Sequence, residues 1–160
     1  MVATSEELTL VEPVGVGSAA PCLVGGNVLY LDGDSWVYGG TQTIQAAKWG
    51  SSGTDTNVHI DVTPTDLMQG SYWNVYFDSS QLGAPLAPGI YEGAQRWPFM
   101  QAGHPGLDVN GDSRGCNTVS GRFQVQTLTW NGPMVSSFTA TFEHLCEGWQ
   151  LLRGCVHYER

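Results

Sequence analysis

The stretch 134–158 constrains the fold more than any other part of the chain, because apolar and polar side chains alternate along it. Phe138, Ala140 and Phe142 alternate with serine and threonine, which is the period-two pattern of a strand with one buried face. Acidic residues and a glycine then interrupt the pattern, as in a tight corner. The stretch predicts a hairpin with three parts: a strand over Met134–Phe142, a corner over Glu143–Gly148 and a strand over Trp149–Tyr158.

Similar short runs recur along the rest of the chain, separated by turns. The 160 residues include 21 Gly and 8 Pro, a composition that favours strands and turns over helices. About eight or nine strands at regular spacing predict an all-β fold, an antiparallel β-sandwich of jelly-roll or immunoglobulin-like type. We predict one such domain over residues 22–160, after a leading edge strand or linker over residues 1–21. The other predicted elements are strands over Val28–Asp32, Ser35–Tyr38, Thr41–Trp49, Asn57–Thr63, Tyr72–Phe77, Gly89–Trp97 and Gly121–Trp130, and loops over Gly50–Thr56 and Pro98–Arg114.

The charge of the chain excludes some classes of partner. Fifteen acidic residues against six basic ones give a net charge of −9, and Lys48 is the only lysine. Binding to nucleic acid requires clustered lysine and arginine, so we predict no nucleic-acid partner. No stretch approaches the roughly 20 apolar residues that a membrane-spanning helix needs, so we also predict no membrane insertion.

The four cysteines indicate disulfides. Their number is even, they are widely spaced, and no Cys-x-x-Cys pair is present, so the pattern of a zinc ribbon is missing. Disulfides are typical of an oxidising compartment, and we therefore expect a secreted or extracellular protein. The first residues show no basic segment followed by an apolar one, so an export signal, if the protein has one, is expected to have been removed.

A series of short motifs runs through the second half of the chain: Gly89-Ile90-Tyr91, Ala94-x-Arg96-x-Pro98-Phe99, Gly106-Leu107, Arg114-Gly115-Cys116-Asn117, Gly121-Arg122-Phe123-x-Val125, Phe142-Glu143-x-x-Cys146-Glu147-Gly148 and Leu152-x-Gly154. This series resembles an uncharacterised all-β domain of secreted bacterial multidomain proteins. The resemblance covers about residues 70–158, carries no established activity, and implies the same fold class and location. One departure is His144-Leu145, where the family usually has Gln-His before the corner cysteine.

Two of these motif blocks each contain one cysteine, and the resemblance implies that Cys116 pairs with Cys146. Cys22 would then pair with Cys155 and tie the start of the chain to its last strand. The alternative, a redox-active or nucleophilic cysteine, needs a nearby base and a lowered thiol pKa. The spacing of the cysteines indicates neither.

Asp108, Asn110 and Asp112 form the opening of a D-x-N-x-D calcium loop. The glycine and the glutamate that complete such a loop are replaced by Ser113 and Val119. Calcium bound with the help of other loop oxygens is one prediction. The alternative is a turn in which the same side chains bond to the backbone without a metal.

The six tryptophans are more than one sandwich core requires, and several lie at predicted strand ends. Exposed aromatic rings stack on the apolar faces of sugar rings, and an acidic surface with one lysine suits neutral glycans. The alternative is that these rings cap the open ends of the sandwich. The candidate ligand-binding residues are Trp97, Arg96, His104, Asp108, Trp49 and Trp36.

The sequence thus favours a non-catalytic carbohydrate-binding or adhesion module of an extracellular bacterial protein. The first alternative is a structural or protein-interaction β-sandwich. The second is a small glycan-active enzyme that uses paired carboxylates, for which no spacing in the sequence establishes a pair. The acidic residues considered for that role are Asp32, Asp34, Asp61, Asp66, Glu92, Glu143 and Glu147.

Overall fold

The structure, a computed structural model, describes residues 15–160. Ten strands dominate this part of the chain, together with short 3₁₀ turns at Ala20–Cys22, Leu67–Gln69 and Ser80–Leu82. None of its helical segments is long or apolar enough to cross a membrane. The strands are β1 Val28–Asp34, β2 Gly39–Ile44, β3 Ala47–Thr54, β4 Asn57–Pro64, β5 Trp73–Asp78, β6 Gly89–Arg96, β7 Gly106–Gly111, β8 Val119–Asn131, β9 Met134–Cys146 and β10 Gln150–Glu159.

The all-β prediction is confirmed, but the sandwich prediction is wrong. The ten strands form one sheet in the order β2-β1-β10-β9-β8-β6-β7-β5-β4-β3, and this sheet nearly closes into a barrel. β7 runs parallel to β6, so the sheet is not purely antiparallel. The sequence pattern shows which residues are buried, but it does not distinguish one curled sheet from two stacked sheets.

Side-chain contacts join the edge strand β2 to the segment between β4 and β5. Gln42 in β2 donates from its side-chain amide to the Gln69 carbonyl, and the Gln69 amide donates to the Thr43 carbonyl. Tyr38 packs edge-on against Trp73, with 5.9 Å between the ring centroids. These contacts cover the edge of β2 with the segment between β4 and β5.

The core is filled by aromatic rings from strands that are distant in the sheet. The Phe77 ring in β5 lies 5.1 Å from Phe123 in β8, and 5.2 Å and 6.4 Å from Phe138 and Phe142 in β9. All four side chains are fully buried or nearly so. Strands β5 and β9 meet in this cluster only because the sheet curls.

The strand predictions over Asn57–Thr63, Tyr72–Phe77 and Gly121–Trp130 are confirmed with small changes at their ends. Five other element predictions are wrong. The predicted strand Thr41–Trp49 is two strands, β2 and β3, and the predicted corner Glu143–Gly148 is largely the end of β9, which continues to Cys146. Ser35–Tyr38 is largely the turn between β1 and β2; the predicted loop Gly50–Thr56 lies mostly in β3; and the predicted loop Pro98–Arg114 contains β7. β3 is an edge strand in which apolar and polar residues hardly alternate, so its sequence resembles a loop. β7 contains Asp and Asn, which are typical of turns, so its sequence does not indicate a strand.

The leading-strand prediction concerns residues 1–21, of which residues 1–14 lie outside the described residues. Residues 15–21 form no strand; they lead into the 3₁₀ turn at Ala20–Cys22. Val16 is fully buried, and its backbone N–H donates to the Gln124 side chain. This segment is therefore packed against the sheet.

Both disulfide predictions are confirmed. Cys22 bonds to Cys155, 133 residues away, and Cys116 bonds to Cys146, 30 residues away. Each closes a long loop, and on the chain-entropy model each contributes roughly 3–5 kcal/mol to stability. The second bond holds the segment before β8 against the end of β9.

Gly121 allows β8 and β9 to approach closely. A Cβ atom at this position would lie 2.0 Å from the Glu143 carbonyl oxygen in β9. Gly39 provides a matched control, since a Cβ there would meet no atom within 4 Å and its φ is not in the left-handed region.

We expect Gly121→Ala to lower the free energy of unfolding by about 1–3 kcal/mol, because the clash is with backbone that cannot rotate away. Gly39→Ala should leave it unchanged or raise it slightly. Urea unfolding of both variants checks this. Equal unfolding midpoints for the two variants would contradict the close approach of β8 and β9.

Candidate functional site

A groove of about 400 Å³ lies beside the C-terminal ends of β6 and β7. We call it the Tyr72 groove, because the exposed Tyr72 forms part of its wall. Both of its basic residues, Arg96 and Arg114, also line neighbouring grooves. The lining residues are Tyr72, Arg96, Asp108, Asn110, Ser113, Arg114 and Gly115.

Two further grooves continue this surface. Arg114 also lines a groove of about 170 Å³ with Tyr38, Gln42 and Asp112, here the Tyr38 groove. Arg96 also lines a wider groove of about 540 Å³, here the Phe99 groove. We refer to the three grooves together as the arginine strip.

A tight turn after β7 places Arg114. Asp112 and Ser113 both have left-handed backbone, with φ of 50° and 62°, and Gly111 and Arg114 exchange backbone hydrogen bonds across them. Two left-handed central residues are typical of a type I′ turn. Such a conformation costs of order 1 kcal/mol for each non-glycine residue, so strain is retained next to the groove. The Asp112 N–H also donates to the carbonyl of Tyr72, which fixes the turn to the residue directly before β5.

Each arginine of the strip stacks on an exposed aromatic ring. The Arg114 guanidinium lies 4.9 Å from the centroid of Trp36, a side chain that is 58% exposed. The Arg96 guanidinium lies 5.1 Å from the centroid of Phe99, which is 69% exposed. Stacking of this kind is worth about 0.5–1 kcal/mol at exposed sites. It holds ring and guanidinium in a defined arrangement.

Hydrogen bonds fix the segment next to Arg96. Its Nη1 donates to the Asn117 carbonyl, while the Asn117 N–H and the Thr118 hydroxyl donate to the Glu147 carboxylate. The bond from Asn117 lowers the pKa of Glu147. The wall of the Phe99 groove is thereby connected to the corner between β9 and β10.

Asp108 and His144 bring buried polar groups next to the Tyr72 groove. Asp108 is 6% exposed and His144 is fully buried; the distance from His144 Nε2 to Asp108 Oδ1 is 3.5 Å, longer than a normal hydrogen bond. Asp108 Oδ1, Arg96 Nε and both ring nitrogens of His144 have no hydrogen-bond partner among residues 15–160. Buried polar atoms without partners are uncommon and destabilising. Their concentration here is typical of a functional site rather than of a core.

Trp97 lies beside the strip but does not line it. Its ring stacks on Tyr76 at 4.0 Å, Tyr76 stacks on His59 at 4.2 Å, and the Trp97 indole N–H donates to Asp78. Burial and the nearby charges of Asp108 and Asp61 raise the pKa of Tyr76. Trp97 is therefore a half-buried member of a three-ring stack, with one ring face covered.

Of the six residues predicted to bind ligand, Arg96 and Asp108 line the strip and Trp36 borders it. Trp97, His104 and Trp49 do not line it. His104 contacts the Gly93 carbonyl at 2.8 Å, and Trp49 packs against the core while its indole donates to the Gln45 carbonyl.

The calcium prediction assumed that Asp108, Asn110 and Asp112 lie in one loop, and the structure does not contain that loop. Asp108 and Asn110 lie in β7, where the Asn110 amide donates to Asp108 and the Asn110 oxygen accepts from Asn74. Asp112 lies in the following turn and accepts from the Ser71 hydroxyl. Within residues 15–160, no group of three histidine, cysteine or acidic side chains is arranged to hold a metal ion.

Sequence reasoning did not identify Arg114, Tyr72 and Phe99 as site residues. Phe99 and Arg114 occur in the motif series, but only as markers of the resemblance. The Asp-Ser-Arg turn was a usable signal for Arg114, since residues after tight turns are often presented on the surface. Comparison of the chain with protein-family models, with curated proteins and with solved structures finds no match.

We expect the Asp108–His144 pair to be energetically coupled. Asp108→Leu or His144→Leu alone leaves one buried polar group without its neighbour, and should cost about 1–3 kcal/mol of unfolding free energy. The double replacement should cost less than the sum, because both polar groups are removed. Urea unfolding of the three variants measures the coupling.

Asp112→Leu combined with His144→Leu is the control, because Asp112 is exposed and contacts Ser71. For this pair, the loss of unfolding free energy in the double variant should equal the sum of the losses in the two single variants. Additive costs for Asp108→Leu and His144→Leu would show that the two buried groups do not interact.

Proposed function

We propose that this chain is a non-catalytic glycan-binding module that binds its ligand along the arginine strip. The observation that carries the proposal is the pair of exposed rings, Trp36 and Phe99, each held by an arginine that lines the same groove. Sugar rings bind to aromatic surface next to a few fixed polar groups. Rings that are already held in place lose little freedom when a ligand binds.

Polar groups beside the rings support the proposal. Tyr72 and Asn110 line the Tyr72 groove, and Gln42 and Gln69 line the Tyr38 groove. Amides and hydroxyls of this kind donate to and accept from sugar hydroxyls. The Gln42 and Gln69 side chains are themselves held by hydrogen bonds to backbone carbonyls.

A glycan-active enzyme with paired carboxylates is less well supported. Glycosidases of this type need two carboxyl groups facing one substrate. The Tyr72 groove contains Asp108, the Tyr38 groove contains Asp112, and the described lining of the Phe99 groove contains no carboxylate. Among residues 15–160, no groove of the strip thus contains a pair of carboxylates.

A protein-binding module is the second candidate, and a specific observation favours it. Leu67, Met68 and Trp149 are strongly exposed, and Met68 lines the Tyr38 groove. Exposed apolar side chains of this size often mark protein interfaces. The two disulfides support an extracellular location for either function.

We expect Trp36→Ala to weaken glycan binding about fivefold, because stacking contributes on the order of 1 kcal/mol. Its unfolding midpoint should stay close to that of the wild type, since the ring is largely exposed. A glycan array first identifies a ligand, and calorimetric titration then compares the variant with the wild type. Leu23→Ala, which removes an exposed apolar side chain outside the strip, should bind like the wild type.

Two outcomes would contradict the proposal. One is an array without any bound glycan, accompanied by saturable binding of a protein ligand that Met68→Ser abolishes. The other is glycan binding that Trp36→Ala and Phe99→Ala leave unchanged.

A further inference from the structure

We infer that the ligand of the arginine strip is an acidic glycan whose sugar units bear carboxylates. The inference rests on the proposed function and specifies its ligand class. It replaces the expectation of a neutral glycan, which was based on overall charge. The carrying observation is the position of Arg96 and Arg114, which line one groove and form no ion pair with residues 15–160.

This arrangement is unexpected in so acidic a chain. Acidic residues outnumber basic ones by 15 to 6, and Arg122 shows how an arginine is engaged elsewhere in the fold. Arg122 bonds to Glu143 and Glu92, and these bonds raise its pKa. The side chain of Arg114 instead packs on Trp36 and forms no hydrogen bond within the described residues. Its guanidinium N–H groups remain available to a ligand.

Arg96 is partly engaged. Its Nη1 donates to the Asn117 carbonyl, and its Nε is buried without a partner among residues 15–160. The second terminal nitrogen has no acceptor in the same part of the chain. Arg114 should therefore contribute more to ligand binding than Arg96.

The carboxylate of Asp108 does not neutralise the positive charge of Arg96 and Arg114 at the surface of the groove. Asp108 is 6% exposed, its Oδ1 is buried facing His144, and its Oδ2 accepts from Asn110. The Asp112 carboxylate points to Ser71, whose hydroxyl donates to it. The exposed Glu147 carboxylate interacts with the charge of Arg96. Most of the accessible positive charge at the Tyr72 groove is therefore that of Arg114.

The chemistry of a uronic acid fits these groups. A guanidinium binds a carboxylate through two parallel N–H···O bonds. The apolar face of the same sugar unit can lie on Trp36 or Phe99, and its hydroxyls can bond to Tyr72 and Asn110. An acidic peptide would use the arginines but not the rings beside them, so the rings favour the saccharide.

Calorimetric titration with a short oligogalacturonide and with its methyl ester tests the inference. The two ligands offer the same sugar faces, but the ester lacks the charge. We expect the acid to bind at least tenfold more tightly than the ester, because charge-assisted bonds are strong. Arg114→Gln should weaken binding of the acid about tenfold, and Arg96→Gln less.

The methyl ester distinguishes two roles of Arg114, binding the ligand's carboxylate through its charge and holding the Trp36 ring in position. If Arg114 acts through its charge, Arg114→Gln should weaken binding of the acid far more than binding of the ester. If Arg114 only holds Trp36 in place, both ligands should be affected equally. Arg160→Gln removes the same charge from the exposed last residue, and should leave both affinities unchanged.

Three results would overturn the inference. The first is equal binding of acid and ester, which leaves glycan binding itself intact. The second is an equal loss for both ligands in Arg114→Gln. The third is competition by a short polyglutamate as effective as that by the oligogalacturonide, which would assign the arginines to an acidic peptide. Failure of the proposed function looks different: neither these ligands nor any glycan on the array would bind.

Discussion

The packing of Phe77 against three phenylalanines of β8 and β9 is the interaction on which the rest of the structure depends. β5 is separated from β8 by β7 and β6 along the ladder, so a flat sheet would not bring these rings together. Burying an aromatic side chain contributes about 1.5–3 kcal/mol, and edge-to-face contacts add to this. The gain from this cluster therefore favours a curled sheet over a flat one.

Curling also assembles the candidate site. Trp36 follows β1 and Arg114 follows β7, and four strands lie between β1 and β7 in the sheet. They meet because the sheet nearly closes, and the Tyr38–Trp73 contact and the Gln42 and Gln69 hydrogen bonds secure that meeting. The strained turn at Asp112–Ser113 then directs Arg114 to Trp36. The site is thus a consequence of closure and not of any one loop.

The sequence predicts the local elements better than their assembly. Alternation of Val58, Ile60 and Val62 is sufficient to identify β4. The resemblance implies the disulfide between Cys116 and Cys146, which leaves the other two cysteines as the second pair. The closure of the sheet is not predictable in this way, because burial of Phe77 and Phe138 fits a sandwich equally well. Motif glycines such as Gly121 are explained only once the distance between β8 and β9 is known.

The candidate site could be predicted only in part, because its residues are brought together by the assembly of the sheet. Arg96, Asp108 and Trp36 were identified from residue type and position near turns. Trp97 has the same features, but the Tyr76 ring covers one of its faces. Arg114 was missed because its importance lies in its contact with Trp36, 78 positions earlier in the numbering.

A nitrogen–proton NMR titration that follows the indole signals of the six tryptophans tests the account most directly. We predict that a bound glycan shifts the Trp36 indole signal, whereas the indoles of Trp73 and Trp97, which donate to Gln69 and Asp78, change little. Shifts at Trp97 and Trp49 with an unchanged Trp36 signal would contradict it, and would place the ligand away from the arginine strip.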